Sequence, residues 1–289
     1  MAKFKNFRKI FFISVGLLIT VSILLGPIIW QNEFDQNLKV IFLDVGQGDS
    51  IFIKTPDKQY ILIDGGPDNK VLYGLGENIP FYRRRIDLMI LTHFDFDHIT
   101  GLIEVLKRYK VKLVLYNGLL NESSEFKEWF KMIKEKNVPL ETTKAGDELK
   151  FNDDLILKTL YPFELADKNL QNNNNTSVVN KLIYKNISFL FTGDLEADGE
   201  EELISKKANL KSDVLKVGHH GSKRSTTKKF LQVVKPKYGV ISVGKDNKFG
   251  HPSLRVLKNL QQAGVKILRT DLDGEIKIVT NGEKLEILF

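Results

Sequence analysis

The sequence predicts a layered α/β domain with two sheets, preceded by an apolar segment at its N-terminus. Short strand-like runs rich in Ile, Leu and Phe fall into two groups along the chain, and amphipathic helical segments are interspersed within each group. No shift in composition after residue 37 indicates a further domain boundary. The chain has 289 residues, of which 42% are hydrophobic, and this is enough for one large domain with its own core.

The apolar segment, residues 10–30, is predicted to span a membrane. It contains no charged residue, and at ~1.5 Å per helical residue it reaches roughly 30 Å, the thickness of the hydrocarbon core. Basic residues in the tail 1–9 precede it, so the positive-inside rule places the tail in the cytoplasm and the body outside. The sequence therefore predicts a single-pass protein of the cell membrane, whose body is extracellular or periplasmic.

A cleaved signal peptide is the alternative for this segment. Gly26-Pro27 could end the helix early, which suits cleavage. The apolar stretch is nevertheless long, and no A-x-A-like site follows it, so an uncleaved anchor is the preferred interpretation. The predicted layout is a tail at 1–9, an anchor at 10–30, a polar linker at 31–37 and a body at 38–289.

Composition excludes several classes of site. The chain has no cysteine, which rules out disulfides, thiolate metal ligands and a cysteine nucleophile. Its formal net charge is +7, and the four basic residues of the tail carry more than half of that excess. Residues 31–289 contain 39 basic and 36 acidic residues, so the body is only mildly basic and its charge alone says little about nucleic acid.

In the first group, strands are predicted from apolar runs bounded by Gly, Pro or Asp, and helices from apolar spacing. The helix at 125–136 has Phe126, Trp129, Phe130 and Ile133 on one face, and Ser123 or Ser124 would cap it. The other elements are strands at 39–43, 50–54, 59–63, 86–91 and 111–116 and a helix at 99–109.

The second group follows by the same criteria. Its predicted strands lie at 155–160, 178–184, 188–191, 214–217, 239–243, 265–268, 275–279 and 285–288, and its predicted helices at 197–206, 227–234 and 253–263.

All five histidines fall inside three short motifs that have the residue types of a metal site. The motifs are T-H-F-D-F-D-H at 92–98, V-G-H-H-G-S at 217–222 and G-H-P at 250–252. Imidazole and carboxylate are the ligands on which a cysteine-free chain must rely for Zn²⁺ and similar metals. Histidines used for incidental packing would scatter along the chain, so the sequence predicts a metal centre.

The first motif follows a predicted buried strand and precedes a predicted helix. Alternation along the turn would let His93 and Asp95 face one metal while Asp97 and His98 face a second. Without a cation, the two carboxylates would be crowded at an unfavourable cost. A capped helix with solvated acids is the alternative, and four ligand types in six residues argue against it.

The remaining candidate ligands also follow predicted strands. Asp194, in a T-G-D turn, is interpreted as a bridge between metals, with an ordinary turn aspartate as the alternative. His219 and His220 would point to opposite sides of an extended segment, one as a ligand and the other as a supporting or transition-state contact. Spacing alone does not say which is which. His251, between Gly and Pro, is the expected last ligand.

These motifs carry a resemblance to a known family. D-V-G-Q-G-D-S at 44–50, L-I-D-G-G at 62–66 and the motifs at 92–98, 192–194, 217–222 and 250–252 occur in this order in the metallo-β-lactamase superfamily. The chain most resembles the hydrolase domain of ComEC-type DNA-uptake proteins over nearly all of 38–280. The resemblance implies a four-layer αββα sandwich, a metal site at the sheet edges and metal-assisted hydrolysis.

The resemblance also implies roles for the residues. Two divalent ions, Zn²⁺ or Mn²⁺, are expected, with Asp44 and Asp64 as acids that support the ligands or their turns. Asp97 and His220 are the expected catalytic residues. The metal ligands are expected to be His93, Asp95, Asp97, His98, Asp194, His219 and His251.

Two departures from the superfamily pattern affect the first metal. The usual motif is H-x-H-x-D-H, and Asp95 stands where it has its second histidine. The separate histidine before the bridging aspartate has no counterpart, since residues 172–177 offer only Asn, Thr and Ser. The remaining ligands are richer in oxygen, which favours Mn²⁺ over Zn²⁺ at this site or leaves it weakly filled.

Basic residues beside the histidine motifs favour a phosphodiester substrate, and DNA or another phosphodiester polymer is the expected partner. Ser222, Lys223 and Lys245 are the candidates for substrate binding, with a solvated basic surface as the alternative. Residues 83–85, Arg-Arg-Arg, form a further basic patch of surface or interface type. Few aromatic residues interleave with these charges, so stacking on single strands is not indicated.

Two other functions remain open at this level. One is a metal-dependent hydrolase of a lactone, thioester, β-lactam or teichoic-acid phosphoester. The other is a metal-binding module that has lost catalysis and serves as a partner for other proteins, which Asp95 and the missing histidine favour. The retained Asp97, Asp194, His219 and His251 argue for catalysis.

Overall fold

The computed structural model describes residues 11–23, 36–164 and 173–289. The chain divides into two units, Met1–Gln36 and Asn37–Phe289. In the first unit, residues 11–23 are helical. Within the described ranges, no helix is both long enough and apolar enough to cross a membrane. The tail 1–9 and most of the predicted linker lie outside the described residues, as do residue 10 and residues 24–30 of the predicted anchor.

The second unit alternates strands and helices in the order expected. Its strands are β1 (Leu38–Phe42), β2 (Ile51–Lys54), β3 (Tyr60–Ile63), β4 (Arg85–Ile86), β5 (Leu88–Ile90), β6 (Lys110–Val111), β7 (Val114–Tyr116), β8 (Leu140–Thr142), β9 (Glu148–Lys150), β10 (Leu155–Tyr161), β11 (Val179–Tyr184), β12 (Ile187–Phe191), β13 (Val214–Lys216), β14 (Tyr238–Ile241), β15 (Lys266–Arg269), β16 (Ile276–Thr280) and β17 (Leu285–Leu288). Its helices are α1 (Lys70–Asn78), α2 (Phe96–Arg108), α3 (Ser124–Glu135), α4 (Ala197–Ser205), α5 (Lys228–Val234), α6 (Leu254–Gln262) and α7 (Thr270–Asp273).

These strands form two large sheets that pack face to face. One has the order β17-β16-β1-β2-β3-β5-β7-β8, the other β15-β14-β13-β12-β11-β10-β9, and β4 pairs separately with β6. Buried side chains of both sheets form the central core, in which the ring centroids of Phe42 and Phe191 lie 6.4 Å apart. Apolar faces of α1, α2 and α3 cover the first sheet, and those of α4, α5 and α6 cover the second. The four layers are therefore αββα, as predicted.

Most predicted strands are present within one or two residues, whereas some element boundaries were wrong. The predicted helix 99–109 begins at Phe96, because Asp95 takes the N-cap position in an extended conformation and Asp97 suits the positive end of a helix. The predicted strand 111–116 is two strands, since the chain leaves β4 at Val111 and then joins β5 through Val114.

Four elements were missed, among them the four-residue helix α7. Helix α1 contains Gly74 and Gly76, whose low helix propensity hides its short apolar pattern. Strands β8 and β9 are three residues each and mostly exposed, so neither carries an apolar run.

The predicted cap of the helix near residue 125 is confirmed as Ser123, whose Oγ accepts a hydrogen bond from the Phe126 amide at 3.2 Å.

The fold brings the carboxyl ends of several strands to one edge. Strands β12, β13 and β14 are parallel neighbours, and so are β3 and β5 in the other sheet. The loop after β5 carries His93, the loop after β12 carries Asp194, and the loop after β13 carries His219 and His220. His251 lies in the long loop between β14 and α6. Both sheets therefore contribute side chains to the same site.

Candidate metal centre

Five buried or half-buried side chains converge at this edge. His220 Nε2 lies 3.2 Å from Asp194 Oδ2 and 3.3 Å from Asp97 Oδ2. His98 Nε2 lies 3.5 Å from the same Asp194 oxygen. His93 joins His98 and Asp194 in one group whose ligand atoms are close enough to share an ion, and Asp97, His98 and His220 form another. The structure thus brings together the candidates from three separate motifs.

The first motif is divided between a loop and a helix. His93 precedes α2, whereas Asp97 and His98 lie in its first turn. Because these two residues are helical, the predicted alternation along a turn does not determine their directions. Asp95 lies at the rim, half exposed, with Oδ2 3.4 Å from His93 Nε2.

The predicted extended conformation of the paired histidines is wrong. His219 (φ 46°, ψ 51°) and His220 (φ 52°, ψ 24°) are both left-handed, a backbone region that non-glycine residues adopt at a cost. The flanking Gly221 also has positive φ. Both rings consequently face Asp194: His220 from a buried position, and His219 from the rim, 23% exposed, with Nε2 at 3.8 Å.

Hydrogen bonds fix the tautomer of the three buried histidines. Nδ1 of His98 contacts the Asp64 carboxylate at 2.8 Å, and Nδ1 of His220 contacts the Ser242 carbonyl at 2.8 Å. Both oxygens can only accept, so each Nδ1 must carry hydrogen. Thr92 Oγ1 donates to Asp64 at 2.7 Å and therefore accepts from Nδ1 of His93 at 3.0 Å. Nε2 is the free ligand atom of each ring.

Asp64 and Asp44, the predicted supporting acids, occupy different environments. Asp64 is buried beneath the cluster, where it also accepts the Thr92 amide at 2.8 Å. Asp44 is exposed and accepts the Gly46 amide at 3.2 Å, which stabilises its own turn. Only Asp64 contacts a candidate ligand.

Sequence reasoning missed Asp49 and Lys216. Both are buried, and Lys216 Nζ forms a short ion pair with Asp49 Oδ2 and lies 3.6 Å from Asp194 Oδ1. Asp49 Oδ1 is 3.3 Å from His220 Nδ1. The lysine also donates to the Gly193 carbonyl at 2.9 Å, which holds the turn that presents Asp194. A cation and an additional carboxylate therefore lie among the predicted ligands.

The segment that lacks the expected histidine still lines the site. Residues 173–176 form a short 3₁₀ turn. Asn173 donates to Asp95, and Asn174 Nδ2 lies 3.2 Å from His219 Nδ1. Ser177 Oγ lies 3.5 Å from His93 Nδ1 and accepts the Asp194 amide at 3.1 Å. Amide and hydroxyl groups thus orient the ligands here.

His251 reaches the rim of the site from the second sheet. Its ring packs edge-on against that of His219, with centroids 5.6 Å apart. Asn247 holds its backbone by accepting the His251 amide at 3.0 Å and donating to its carbonyl at 2.6 Å. Burial lowers the pKa of His251 to about 4, with a further contribution from the nearby His219 and His220. This histidine is therefore neutral at pH 7 and able to bind a metal.

The charges of the cluster call for a cation. Burial raises the pKa of Asp194, but His220, His98 and Lys216 together hold it well below the usual range. Burial likewise lowers the pKa of His98 and His220, yet Asp194 and its neighbouring carboxylates raise both well above the ordinary value. Without a metal, protons on Nε2 balance the carboxylates, and a metal ion would replace those protons.

The residues fit a divalent metal. The buried atoms Nε2 of His93, His98 and His220 make no well-formed hydrogen bond among the described residues. Each lies instead 3.2–3.5 Å from a carboxylate oxygen of Asp95 or Asp194. Buried polar atoms that lack well-formed hydrogen bonds are costly, and here nitrogen and carboxylate donors gather around one point. Imidazole nitrogen and carboxylate oxygen are the donors that Zn²⁺ and Mn²⁺ take.

The predicted substrate-binding residues surround the cluster without contacting it. Ser222 is buried, and its Oγ accepts the Arg224 amide at 3.3 Å. Lys223 and Lys245 are exposed on the two loops that carry the histidines of the second sheet. Their ammonium groups are free to meet a substrate that approaches from solvent.

Comparison with known proteins identifies a family. The family model described as the metallo-β-lactamase superfamily matches residues 43–245. ComE operon protein 3 of Bacillus subtilis is 39% identical over 257 residues, which cover 83% of this chain and 32% of that protein. Competence protein ComA of Neisseria gonorrhoeae is 31% identical over 261 residues, covering 89% and 35%.

Among solved structures, the metallo-β-lactamase fold protein YhfI from Bacillus subtilis superposes with a TM-score of 0.52 at 10% identity, covering 80% of this chain and 95% of that one. This likeness concerns the fold. The chain spans about a third of the length of the curated relatives that it matches.

Proposed function

Because the chain belongs to the metallo-β-lactamase superfamily, whose members are generally metal-dependent hydrolases, we propose that it hydrolyses phosphodiester bonds, with DNA as the substrate class. The observation that carries the proposal is the convergence of three buried histidine Nε2 atoms and two carboxylates, of Asp97 and Asp194, in two groups that could each hold an ion. Such a cluster is suited to hold a cation, and the exposed Lys223 and Lys245 lie on the loops beside it.

Two divalent ions fit the donor set. His93, Asp95 and Asp194 would hold the first, and Asp97, His98 and His220 the second, with Asp194 shared between them. His219 and His251 would complete the coordination from the rim. His220 is assigned here as a ligand as well as a catalytic residue, because it is more deeply buried than His219 and closer to both carboxylates.

A bound divalent metal supplies Lewis acidity, which polarises the scissile bond and makes water a competent nucleophile near neutral pH. Residues of the chain orient the water, offset the charge of the carboxylates and hold the histidines in place. Asp97 and Asp194 offer carboxylate oxygens that can orient the attacking water. Lys216 offsets part of their charge from the buried side. Asp64 and Ser242 keep two of the histidines in the tautomer that leaves Nε2 free.

Substrate charge favours a phosphodiester over a neutral ester or lactam. Lys223 and Lys245 border the cluster from two loops, and a phosphate polymer would be attracted to them. Similarity to a competence protein supports a DNA substrate. We further propose that the apolar residues 10–30 anchor the protein in the cell membrane with the body outside, on the strength of their length and the basic tail.

Cleavage of labelled single- and double-stranded DNA by the purified full chain in detergent tests this function. Activity is expected with Mn²⁺ or Zn²⁺ and not with EDTA. It is expected to be lost in Asp97→Ala. It should be retained in Asp44→Ala, which makes the same substitution at an exposed aspartate outside the cluster. A folded, metal-loaded protein that cuts neither DNA nor a small phosphodiester would refute the proposal.

A further inference from the structure

A cleft lined by six basic side chains lies at the opposite end of α2 from the metal centre. Its volume is about 840 Å³, and its basic residues are Arg84, Lys107, Arg108, Lys110, Lys112 and Lys136. None of the described residues that line it is acidic. Asp97 lies in the first turn of α2 and Arg108 ends it, so at ~1.5 Å per residue the cleft is roughly 15 Å from the metal centre along the helix.

Helix ends explain part of this charge. Lys107 and Arg108 lie in the last turn of α2, and Lys136 follows α3, where cations balance the negative ends of helix dipoles. Lys136 Nζ also donates to the Lys107 carbonyl at 3.1 Å. Glu104 forms ion pairs with Lys107 and with Arg108. These residues would be expected here even without a ligand.

Arg84 and Lys110 have no such explanation. They lie at the start of the β4–β6 pair, where the Lys110 amide donates to the Arg84 carbonyl at 3.1 Å and sets the two chain segments side by side. Both side chains are exposed, and neither has a carboxylate partner among the described residues. The pairing of two strands thus places two unneutralised cations next to each other at the mouth of the cleft.

An exposed aromatic ring borders the same cleft. Phe81 is 85% exposed and lines a hollow of about 240 Å³ that shares Arg84, Arg108 and Tyr109 with the cleft. The Tyr82 ring is also exposed and packs edge-on against Phe81, with centroids 5.5 Å apart. The sequence analysis found few aromatic residues among the basic ones, the patch at 83–85 included, and so did not indicate stacking on single strands. The fold nevertheless sets these two rings beside the basic cleft.

We propose that this cleft binds a single-stranded polynucleotide, with its cations on the phosphates and Phe81 stacked on a base. Basic grooves combined with exposed aromatic rings are the general means of holding single strands. A duplex offers no unpaired base to Phe81. Lipid headgroups could meet the same exposed cations, but they offer no unpaired base, whereas a single strand offers both phosphates to the cations and a base to Phe81. The proposal goes beyond hydrolysis, because a strand held here lies away from the metal centre and is tethered rather than cut.

Binding of a labelled oligothymidylate of about 16 nucleotides, the upper site size of single-strand modules, tests the proposal. The full chain in nonionic detergent with EDTA is titrated by fluorescence anisotropy, so that no hydrolysis intervenes. The double variant Arg84→Glu/Lys110→Glu is expected to bind about tenfold or more weakly at low salt. Its log–log salt slope should be shallower by about 1.4, or about 0.7 for each phosphate that the variant no longer neutralises.

Two further variants separate specific from general effects. Lys258→Glu/Lys284→Glu makes the same change in charge on exposed residues of α6 and of the β16–β17 turn, and it should bind like the wild type. Phe81→Ala should weaken binding of the single strand about fivefold or more and leave duplex binding unchanged. Far-ultraviolet circular dichroism checks that every variant is folded.

Equal losses of affinity in the cleft variant and in the charge-matched control would overturn the proposal. So would undiminished oligothymidylate binding in the cleft variant, especially if its binding to phosphatidylglycerol vesicles were abolished, which would assign the surface to a membrane. Hydrolysis of bis(p-nitrophenyl) phosphate with Mn²⁺ is measured in parallel. The cleft variants should retain it, so failure of the proposed hydrolase function and failure of the cleft proposal are distinguishable.

Discussion

The carboxylate of Asp64 accepts the Nδ1 hydrogen of His98 at 2.8 Å and so directs Nε2 of the same ring toward Asp194, 3.5 Å away. Asp64 itself is held by the amide and hydroxyl of Thr92. The orientation of one candidate ligand is therefore determined by a buried acid that follows a neighbouring strand.

Asp64→Asn should weaken metal binding while leaving the protein folded. The amide presents a donor to His98 Nδ1 and favours the tautomer with hydrogen on Nε2. Loss of such an orienting partner typically costs about 10–100-fold in metal affinity. Titration calorimetry with Mn²⁺ or Zn²⁺ measures the change. Asp213→Asn is the matched control, because Asp213 accepts the Ser188 amide at the other end of the second sheet. This control should retain wild-type metal affinity. Equal losses of affinity in the two variants would contradict the role of Asp64.

Asp49→Asn should destabilise the metal-free protein strongly. It leaves the buried Lys216 ammonium without its closest carboxylate, and breaking a buried pair in this way costs about 3–5 kcal/mol. Asp44→Asn, on the same loop but exposed, should change the free energy of unfolding by less than about 0.5 kcal/mol. Urea unfolding in EDTA at pH 7 compares the two variants with the wild type.

The effect of Asp49→Asn should also depend on pH. Burial raises the pKa of Asp49, but Lys216 and His220 lower it more, to about 2 from its ordinary 3.8. A lowered folded-state pKa stabilises the protein above the unfolded value and ceases to do so as the pH falls through the folded one. The difference in unfolding free energy between wild type and Asp49→Asn should therefore shrink between about pH 4 and pH 2. A difference that stayed constant over this range would show that the ion pair is not its source.

His220→Ala and His219→Ala should differ in bound metal. His220 is buried between Asp97 and Asp194, so its loss should remove one metal equivalent. His219 lies at the rim, and its loss should keep the stoichiometry and weaken affinity by less than about tenfold. Elemental analysis by mass spectrometry after dialysis gives the two metal contents. The reverse order would assign the ligand to His219.

Gly101→Ala should destabilise the protein through the packing of α2. A Cβ at this position would clash with the Gly65 carbonyl oxygen, a backbone atom that cannot rotate away. Overpacking of this kind costs about 1–3 kcal/mol or more. Gly76→Ala is the control, since a Cβ there meets nothing and alanine favours the helix by about 0.5–1 kcal/mol. Thermal unfolding should move the two midpoints in opposite directions, and parallel shifts would contradict the prediction.

The arrangement of layers could be predicted from the sequence because apolar runs mark buried strands independently of their partners. The histidine motifs were equally visible, since no histidine lies outside them. The directions of His219 and His220 could not be predicted, because two successive non-glycine residues with positive φ oppose ordinary preference and depend on the surrounding loops.

Lys216 and Asp49 were missed for different reasons. A lysine at the end of a short buried strand is itself a signal, because a fully buried ammonium needs a partner, and this signal was overlooked. Asp49 and Asp44 lie on one loop, and only the path of that loop determines which carboxylate turns inward. The loop approaches α2 so closely at Gly48 that a Cβ added there would clash with the Asp97 carbonyl oxygen.

The edge at which both sheets present their ligands also affects how the chain is assembled. His93 and Asp97 are synthesised about a hundred residues before Asp194 and His220, so the coordination sphere stays incomplete until the later half has emerged and docked. An ion bound there would tie the earlier half of the polypeptide to the later one. At a free concentration of about 1,000 times its Kd it would add about 4 kcal/mol to the free energy of unfolding. Metal supply would then govern the lifetime of the folded protein as well as its chemistry.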